Sequence, residues 1–243
     1  MITSPDNPRV KDVLRLRKSR VRRDEGIFVA EGRREVERAI AAGLTVRETF
    51  VAPELIAGWP HPHTEVSARV LARMAYRAEP EGVLAIVEAP RHTLPEDATL
   101  ILVAVGIEKP GNLGAMARTA DAAGADALIV ADAQADPWNP NAIRASTGAV
   151  FTLPIVEATR DEVAALPLQR VAAVVGAPTR HTEPDYTEPT GLIVGAEDAG
   201  LDDAWQALAD TKVAIPMRGR TADSLNAATA AAILLYETLR QRG

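Results

Sequence analysis

Polar residues that could bind a ligand are concentrated between residues 191 and 226. Glu197 and Asp198 follow directly on a short apolar run, and Ser224 and Asn226 precede a long segment of periodic apolar residues. Open α/β sheets bind ligands at the carboxyl ends of their strands. A helix amino terminus presents unpaired N–H groups that suit a phosphate or a carboxylate. The stretch therefore predicts a ligand site with two carboxylates on one side and a helix end on the other.

The elements that must position these residues are two short strands and one helix. The run 192–194 is β-branched and apolar and stops at a glycine, and the run 213–215 stops at a proline, so both are typical of buried strands. The apolar period of residues 227–240 predicts a helix. Asp223 or Ser224 can cap that helix, and for an S-L-N sequence taken alone simple capping is the ordinary explanation.

From Leu100 onward, continuous apolar runs alternate with amphipathic segments. This alternation favours a mostly parallel sheet covered by helices on both faces. The chain has neither a G-x-G-x-x-G sequence nor the lysine of a phosphate-binding loop, so the common dinucleotide and nucleoside triphosphate sites lack their signatures.

Three short motifs occur in a specific order. The first is N-x-G-x-x-x-R-T-A, from Asn112 through Arg118 to Ala120; the second is G-x-E-x-x-G-L from Gly195; the third combines I-P-M at Ile215 with S-L-N at residues 224–226. Together they resemble the SpoU, or TrmH, family of RNA ribose 2'-O-methyltransferases in the SPOUT superfamily. The resemblance covers the chain from about Leu100 to Gly243.

The resemblance implies a SPOUT α/β domain with a deep carboxyl-terminal trefoil knot, which is an exception to the rule against knots. It also implies S-adenosylmethionine as methyl donor, and a homodimer formed through the last helix and the knot. Residues matched to the donor-binding positions are Gly195, Ile215 and Leu225. Residues matched to the catalytic positions are Arg118, Asn112, Glu197, Ser224 and Asn226.

Among the matched residues, Arg118 is expected to act on the target hydroxyl. A guanidinium resists deprotonation, so we expect it to anchor the target phosphate and lower the hydroxyl pKa electrostatically instead of acting as a base. Two departures from the family pattern stand out. The loop between Ile215 and Leu225 is one residue longer, and its Arg218 and Arg220 could reach RNA phosphate. Glu108, Lys109 and Pro110 precede the first motif in place of the more usual small or polar residues.

Basic charge is concentrated at the front of the chain. From Arg9 to Arg23 there are eight Lys or Arg against one acid, whereas the whole chain carries a net charge of -6. Residues 5–23 predict one helix with a basic side, which can neutralise phosphates or can be an ordinary solvated surface. The RNA contacts expected here are Arg15, Arg17, Lys18, Arg20, Arg22 and Arg23. Arg144, in R-A-S-T-G, resembles a recurring segment of the family, which implies a contact with RNA or a place in the dimer interface.

The amino-terminal part predicts a separate small α/β domain. Ile27–Val29 and Val46–Val51 have the composition of strands, and residues 32–42 have a helical pattern closed by Gly43. The Glu-Gly pair followed by arginines resembles the ribosomal-protein-like substrate-binding domain found in ribosomal RNA members of the family. The proline-containing stretch 89–97 predicts a linker, which places an RNA-binding domain at 1–94 and a methyltransferase domain at 95–243.

Composition limits the cellular setting. With 243 residues, 47% of them hydrophobic, the chain can bury a sizeable core. It has no cysteine, and its four histidines lack metal-ligand spacing. Its start has no apolar core of a signal peptide, and no apolar run approaches the length of a membrane span. We expect a cytoplasmic protein without metal or membrane partners.

These observations favour 2'-O-methylation of a ribose in ribosomal RNA, 23S RNA first, because minimal transfer-RNA members of the family lack an amino-terminal domain. Transfer RNA stays open as substrate, as does a catalytically inactive RNA-binding or ribosome-assembly factor. Methylation of a base nitrogen is disfavoured by the S-L-N motif. A housekeeping role and resistance to ribosome-targeting antibiotics are both compatible with this layout.

Overall fold

The computed structural model describes residues 1–132 and 134–243. The chain forms two compact units. The first contains Met1–Arg91 and Trp138–Thr152, and the second contains His92–Pro137 and Leu153–Gly243. The division at residues 91 and 92 lies within the stretch 89–97, which has neither helix nor strand.

The first unit contains a four-stranded sheet. Its strands are β1 (Ile27–Glu31), β2 (Val46–Val51), β3 (Thr64–Glu65) and β4 (Val83–Glu88), in the order β1-β4-β2-β3. β4 is antiparallel to β1 and β2, and β3 is parallel to β2. The helices of this unit within Met1–Arg91 are α1 (Pro8–Arg15), α2 (Ser19–Glu25), α3 (Arg33–Ala41) and α4 (Ala68–Met74). The strands predicted at residues 27 and 46 and the helix between them are confirmed.

The prediction of one continuous helix over residues 5–23 is wrong. Helix α1 ends at Arg15, and α2 begins at Ser19 after a short break. Arg22 is only 2% exposed, and its guanidinium donates hydrogen bonds to the carbonyls of Leu16 (2.6 Å) and Arg17 (3.0 Å) at the break. The carbonyls at the end of α1 thus have a charged donor, which replaces the missing helical hydrogen bonds.

The second unit is built on a seven-stranded, wholly parallel sheet in the order β7-β6-β5-β10-β8-β11-β9. In chain order, the elements after α4 and β4 are β5 (Leu100–Val105), α5 (Pro110–Ala122), β6 (Ala127–Ala131), α6 (Pro140–Ser146), β7 (Ile155–Glu157), α7 (Arg160–Ala164), β8 (Gln169–Ala173), β9 (Thr179–Arg180), β10 (Thr190–Val194), α8 (Asp203–Leu208), β11 (Thr211–Ala214) and α9 (Ala227–Arg242). Every residue of the neighbouring strands β5 and β10 is buried, as expected of parallel strands covered on both faces.

Helix α6 packs in the first unit although it lies between β6 and β7 in sequence. Aromatic residues on either side of it hold it there. The ring of Phe28 stacks on Trp138 (centroids 4.9 Å apart) and on Phe151 (5.7 Å). The helix stops at Ser146 because Thr147 and Gly148 adopt left-handed conformations, and a short 3₁₀ turn follows at Ala149–Phe151. This segment joins the first unit, whereas the sequence placed it in a domain spanning residues 95–243.

None of the helices in the described part of the chain is long and apolar enough to cross a bilayer.

Candidate active site

A cleft of about 440 Å³ opens where β8, β10 and β11 end in the second unit. The loop after β10, the segment after β11 and the beginning of α9 surround it. Apolar side chains form much of its wall, and they include Val174, Val194, Leu201, Val213, Ile215, Met217 and Leu225. The polar side chains around it are Glu197, Asp198, Gln206, Asp223 and Ser224. An apolar cleft with a few polar groups at its rim can hold a flat heteroaromatic ligand with a polar tail.

The turn after β10 is closed by backbone contacts. Ala196 and Gly200 form an isolated antiparallel bridge, with the Gly200 N–H donating to the Ala196 carbonyl at 3.0 Å. A Cβ atom on Gly195 would lie 2.4 Å from the carbonyl carbon and oxygen of Gly200 and 2.7 Å from the nitrogen of Leu201. Gly195 is thus required because its own loop folds back against it.

A hydrogen-bond network centred on Glu197 joins three separate parts of the chain. The Nδ2 of Asn112, in the first turn of α5, donates to Glu197 Oε1 at 2.8 Å. The Nδ2 of Asn226 donates to the same oxygen and also, at 3.3 Å, to Asn112 Oδ1. The Nζ of Lys109, just before α5, forms an ion pair with Glu197 Oε2. The carboxylate has four lone-pair positions and receives three donors here.

Asn226 is the residue that caps helix α9. Its Oδ1 accepts hydrogen bonds from the N–H groups of Ala228 (3.0 Å) and Thr229 (3.3 Å), and Ala227 is the first helical residue. The expectation that Asp223 or Ser224 caps this helix is wrong, since the chain is still irregular at both positions. Because the carbonyl end of the Asn226 amide faces the helix, its NH₂ group is directed to Glu197.

The charges in this network stabilise one another. The ammonium of Lys109 lowers the pKa of the Glu197 carboxyl, opposed by burial and helped by the amides of Asn112 and Asn226. In turn, the hydrogen bond and the charge of Glu197 raise the pKa of Lys109. Glu197 is 19% exposed and Lys109 is 67% exposed, so the carboxylate is sheltered while the ammonium faces solvent. The site therefore holds an ionised carboxylate at neutral pH.

Arg118 lies on α5 outside this network. Its side chain is exposed and makes no hydrogen bond or ion pair with any described residue of the chain. Asn112 and Arg118 are six residues apart, which places them about 120° from each other around a helix of 3.6 residues per turn. The guanidinium is therefore available to an external anion.

The other predicted site residues fall into two groups. Gly195, Glu197, Ser224, Ile215 and Leu225 all border the cleft. Arg144 lies on α6 in the first unit, where its guanidinium donates to Asn141 Oδ1 at 2.9 Å.

Folding engages several arginines of the basic front. Arg15 pairs with Glu25 (2.7 Å), and Arg20 pairs with Asp24 (3.4 Å). Arg17 donates to the carbonyl of Ala75 (2.8 Å). The prediction that Arg22 contacts RNA is wrong, because its guanidinium is buried and donates to backbone carbonyls at the α1–α2 break. Lys18 and Arg23 are exposed.

Sequence reasoning missed Lys109 as the partner of Glu197. The two residues are 88 positions apart, and no periodicity relates them. The one indication in the sequence was a departure from the family pattern, since a lysine stands before Pro110 where the motif more often has a small or polar residue. Val174 and Met217 on the cleft wall were missed for a similar reason, since each is an ordinary apolar residue near a strand end. In the described part of the chain, no group of three or more Asp, Glu or His side chains is arranged to hold a metal ion.

Comparison with protein families gives two matches. Residues 99–236 match the SpoU rRNA Methylase family, and residues 7–85 match the MRM3-like substrate binding domain. The second match lies within the first compact unit.

Curated relatives cover nearly the whole chain. A 23S rRNA (uridine(2479)-2'-O)-methyltransferase of Streptomyces viridochromogenes is 36% identical over 89% of this chain and 84% of its own length. The 23S rRNA (guanosine(2553)-2'-O)-methyltransferase RlmP of Bacillus subtilis (strain 168) is 34% identical over 97% of both chains.

A solved structure agrees in fold. The SpoU methyltransferase AviRb from Streptomyces viridochromogenes, in complex with the cofactor AdoMet, superposes with a TM-score of 0.86 at 32% identity, covering 97% of this chain and 98% of its own. The family match spans more than half of the residues and includes all three motifs and the cleft. The chain therefore belongs to the SpoU rRNA Methylase family.

Proposed function

We propose that this protein transfers a methyl group from S-adenosylmethionine to a ribose 2'-hydroxyl of 23S ribosomal RNA. The observation that carries the proposal is the network of Glu197, Asn112 and Asn226 beside an apolar cleft, in a chain of the SpoU family. Both curated relatives are named for 2'-O-methylation of 23S rRNA, and they differ in the nucleotide that they modify.

The residues around the cleft fit S-adenosylmethionine, which supplies an electrophilic methyl group when bound. Ile215 and Leu225 provide apolar wall for the adenine, and Gly195 lets the loop after β10 close tightly beside it. The polar groups of Asp198, Gln206 and Ser224 border the same space. Together these residues bind and orient the donor and exclude water from its reactive end.

The acceptor hydroxyl needs a different kind of help. A ribose 2'-hydroxyl is a weak nucleophile at neutral pH, so transfer requires in-line positioning and stabilisation of the negative charge that develops on its oxygen. The exposed, unpaired guanidinium of Arg118 can hold the neighbouring phosphate and provide that stabilisation as a fixed cation. The amides of Asn112 and Asn226, held by Glu197, align the start of α5 with the start of α9.

The first unit is proposed to hold the RNA. It contains the whole region matched to a substrate binding domain, and exposed cations remain at Lys18, Arg23 and Arg144 after folding. Phosphate contacts of this kind are sequence-independent and position the RNA.

Three further properties are proposed from the family resemblance. A homodimer through α9 is supported by two large side chains exposed on that helix, Tyr236 (50%) and Leu239 (39%). A trefoil knot is supported by the strand order, in which β10 lies between β5 and β8. A cytoplasmic location is supported by the ribosomal RNA named as substrate of the relatives.

The direct test is transfer of labelled methyl from S-adenosylmethionine to ribosomal and transfer RNA, followed by analysis of the nucleosides. We expect a single 2'-O-methylated nucleoside in 23S RNA, and mapping it identifies the position. Label found only in transfer RNA would change the substrate, and a chain that binds the donor but labels neither naked RNA nor an assembled subunit would refute the proposal.

Arg118→Ala tests the role of the guanidinium. We expect kcat to fall by roughly 10²- to 10³-fold, the loss typical of removing one preorganised electrostatic contact, with donor affinity unchanged. Arg160→Ala is the matched control, because Arg160 is an exposed arginine at the start of α7 in the same unit. Unchanged kcat in Arg118→Ala would show that Arg118 has no part in the reaction.

A further inference from the structure

The contact between Lys109 and Glu197 connects a residue outside the motifs to the centre of the site. We infer that Lys109 is a positioning residue for methyl transfer, which holds the Glu197 carboxylate ionised and oriented so that it can align Asn112 and Asn226. The inference deepens the proposed function and rests on it.

The geometry of the Glu197 carboxylate separates its two oxygens. Oε1 accepts the amides of Asn112 and Asn226, and Oε2 accepts the ammonium of Lys109. Without the ammonium, the carboxylate could rotate about its last bond, and the two amides would no longer converge on one fixed atom. Lys109 therefore acts on the amides through Glu197.

The position of Lys109 in the fold holds its backbone in place at the start of α5. It is the residue immediately before α5 (Pro110–Ala122), and its carbonyl accepts the backbone N–H groups of Asn112 (3.0 Å) and Leu113 (3.2 Å). The same residue that pairs with Glu197 thus also begins the helix that carries Asn112 and Arg118. The ion pair ties the start of α5 to the loop after β10.

The opposite end of the network reaches the cleft. Asn226 caps α9 with its Oδ1 and contacts Glu197 with its Nδ2, and Ala227 and Ala230 of that helix border the cleft. Displacement of Glu197 would therefore remove the partner of an amide that also orders the start of α9. This chain of contacts thus connects the start of α5 with the start of α9 beside the cleft.

The charges around the ion pair determine the effect of pH. The charges of Asp198 and Glu108 also raise the pKa of the Lys109 ammonium. Asn112, from α5, and Asn226, from the start of α9, contribute only neutral amides to Glu197. An ionised carboxylate can accept all three donors, whereas a protonated one must give up one acceptor position to its own hydrogen. Removal of the lysine leaves Glu197 without its countercharge, so its pKa rises and the acidic limb of the activity profile moves to higher pH.

Lys109→Met tests the inference, with Lys109→Arg as the conservative replacement. Lys212→Met is the matched control, because Lys212 is an exposed lysine on β11 of the same unit. In Lys109→Met we expect kcat for methyl transfer to 23S RNA to fall roughly three- to tenfold, as for a partly solvated charge-assisted contact. We expect an upward shift of the acidic limb and little change in donor affinity, measured by calorimetry. Lys109→Arg should restore most of the rate.

The outcomes are separable. A wild-type chain that transfers no methyl overturns the proposed function, and the inference with it. If wild type is active but Lys109→Met keeps its kcat and its acidic limb, Lys109 is an incidental surface cation and the inference is wrong. Equal losses in Lys109→Met and Lys109→Arg would also overturn it, because a countercharge role requires that arginine substitute for lysine. Thermal unfolding of each variant checks that the fold is kept.

Discussion

Gly195→Ala is a sharp test of the way the cleft is built. The added Cβ would lie 2.4 Å from two backbone atoms of Gly200 and 2.7 Å from the nitrogen of Leu201, whereas ordinary contacts begin at 3.4 Å. Backbone atoms in a closed turn cannot swing aside as the end of a long side chain can. The loop must therefore move by about 1 Å, which pulls apart the bridge between Ala196 and Gly200.

The size of the effect follows from this overlap. Insertion of a methyl group into a close-packed position costs about 1–3 kcal/mol. For a chain of this size, each kcal/mol lowers the unfolding midpoint by about 2–4 °C, so we expect a decrease of about 2–12 °C. Because the displaced loop carries Glu197 and borders the cleft, the affinity for S-adenosylmethionine should fall by roughly tenfold, equivalent to about 1.4 kcal/mol.

The assay combines calorimetric unfolding with titration of S-adenosylmethionine. Gly191→Ala is the matched control in the preceding strand β10, since a Cβ there would meet its nearest atom, the Gln169 carbonyl oxygen, at an ordinary 3.8 Å. We expect Gly191→Ala to bind donor like wild type. If Gly195→Ala also unfolds and binds like wild type, the close approach of Gly200 does not govern the cleft and the reasoning is refuted.

Two further predictions concern the last helix. Asn226→Ala should lower stability by about 1 kcal/mol by removing the α9 cap, whereas Asn226→Ser keeps a capping oxygen, adds no charge beside the Glu197 carboxylate and loses the amide donor to it. Unfolding and methyl-transfer assays should therefore show lower stability and slower transfer in the first variant, and only slower transfer in the second. Equal destabilisation of the two variants would contradict this separation of roles. Near the end of α9, the Arg240 guanidinium, assisted by the Gln241 amide, lowers the pKa of the buried Glu237 from 4.5 to about 2. Because this pKa is depressed in the folded state, the stabilisation is complete above about pH 4.5 and is lost as the pH falls towards about 2. Glu237→Gln should flatten that part of the dependence of unfolding free energy on pH, and an unchanged slope would argue against the assignment.

Much of the architecture could be read locally. The strands at Leu100–Val105 and Thr190–Val194 follow from continuous apolar runs rich in β-branched residues, because burial on both faces of a sheet selects such residues. The strand at Val46–Val51 contains Arg47 and Glu48 and follows instead from its β-branched and aromatic residues. Helix α9 is predicted by the helical spacing of its apolar residues. The spacing of the family motifs identified several of the residues that surround the cleft. Strands as short as β9, with two residues, have no comparable signal, and neither has β7, whose residues are only partly buried.

The sequence by itself determined the element types, the family motifs and the place of the site at the strand ends, because these depend on side-chain chemistry repeated over a few neighbouring positions. The tertiary structure alone decided the pairing of Lys109 with Glu197, the burial of Arg22, the choice of Asn226 as helix cap and the packing of α6 against Phe28. The ion pair and the ring contact depend on which distant segment supplies the partner atom, whereas the burial of Arg22 and the cap at Asn226 depend on the residue at which the chain leaves or enters a helix. Hydrogen bonds, ion pairs and ring contacts act over a few ångströms in space, and separation along the chain does not encode that distance.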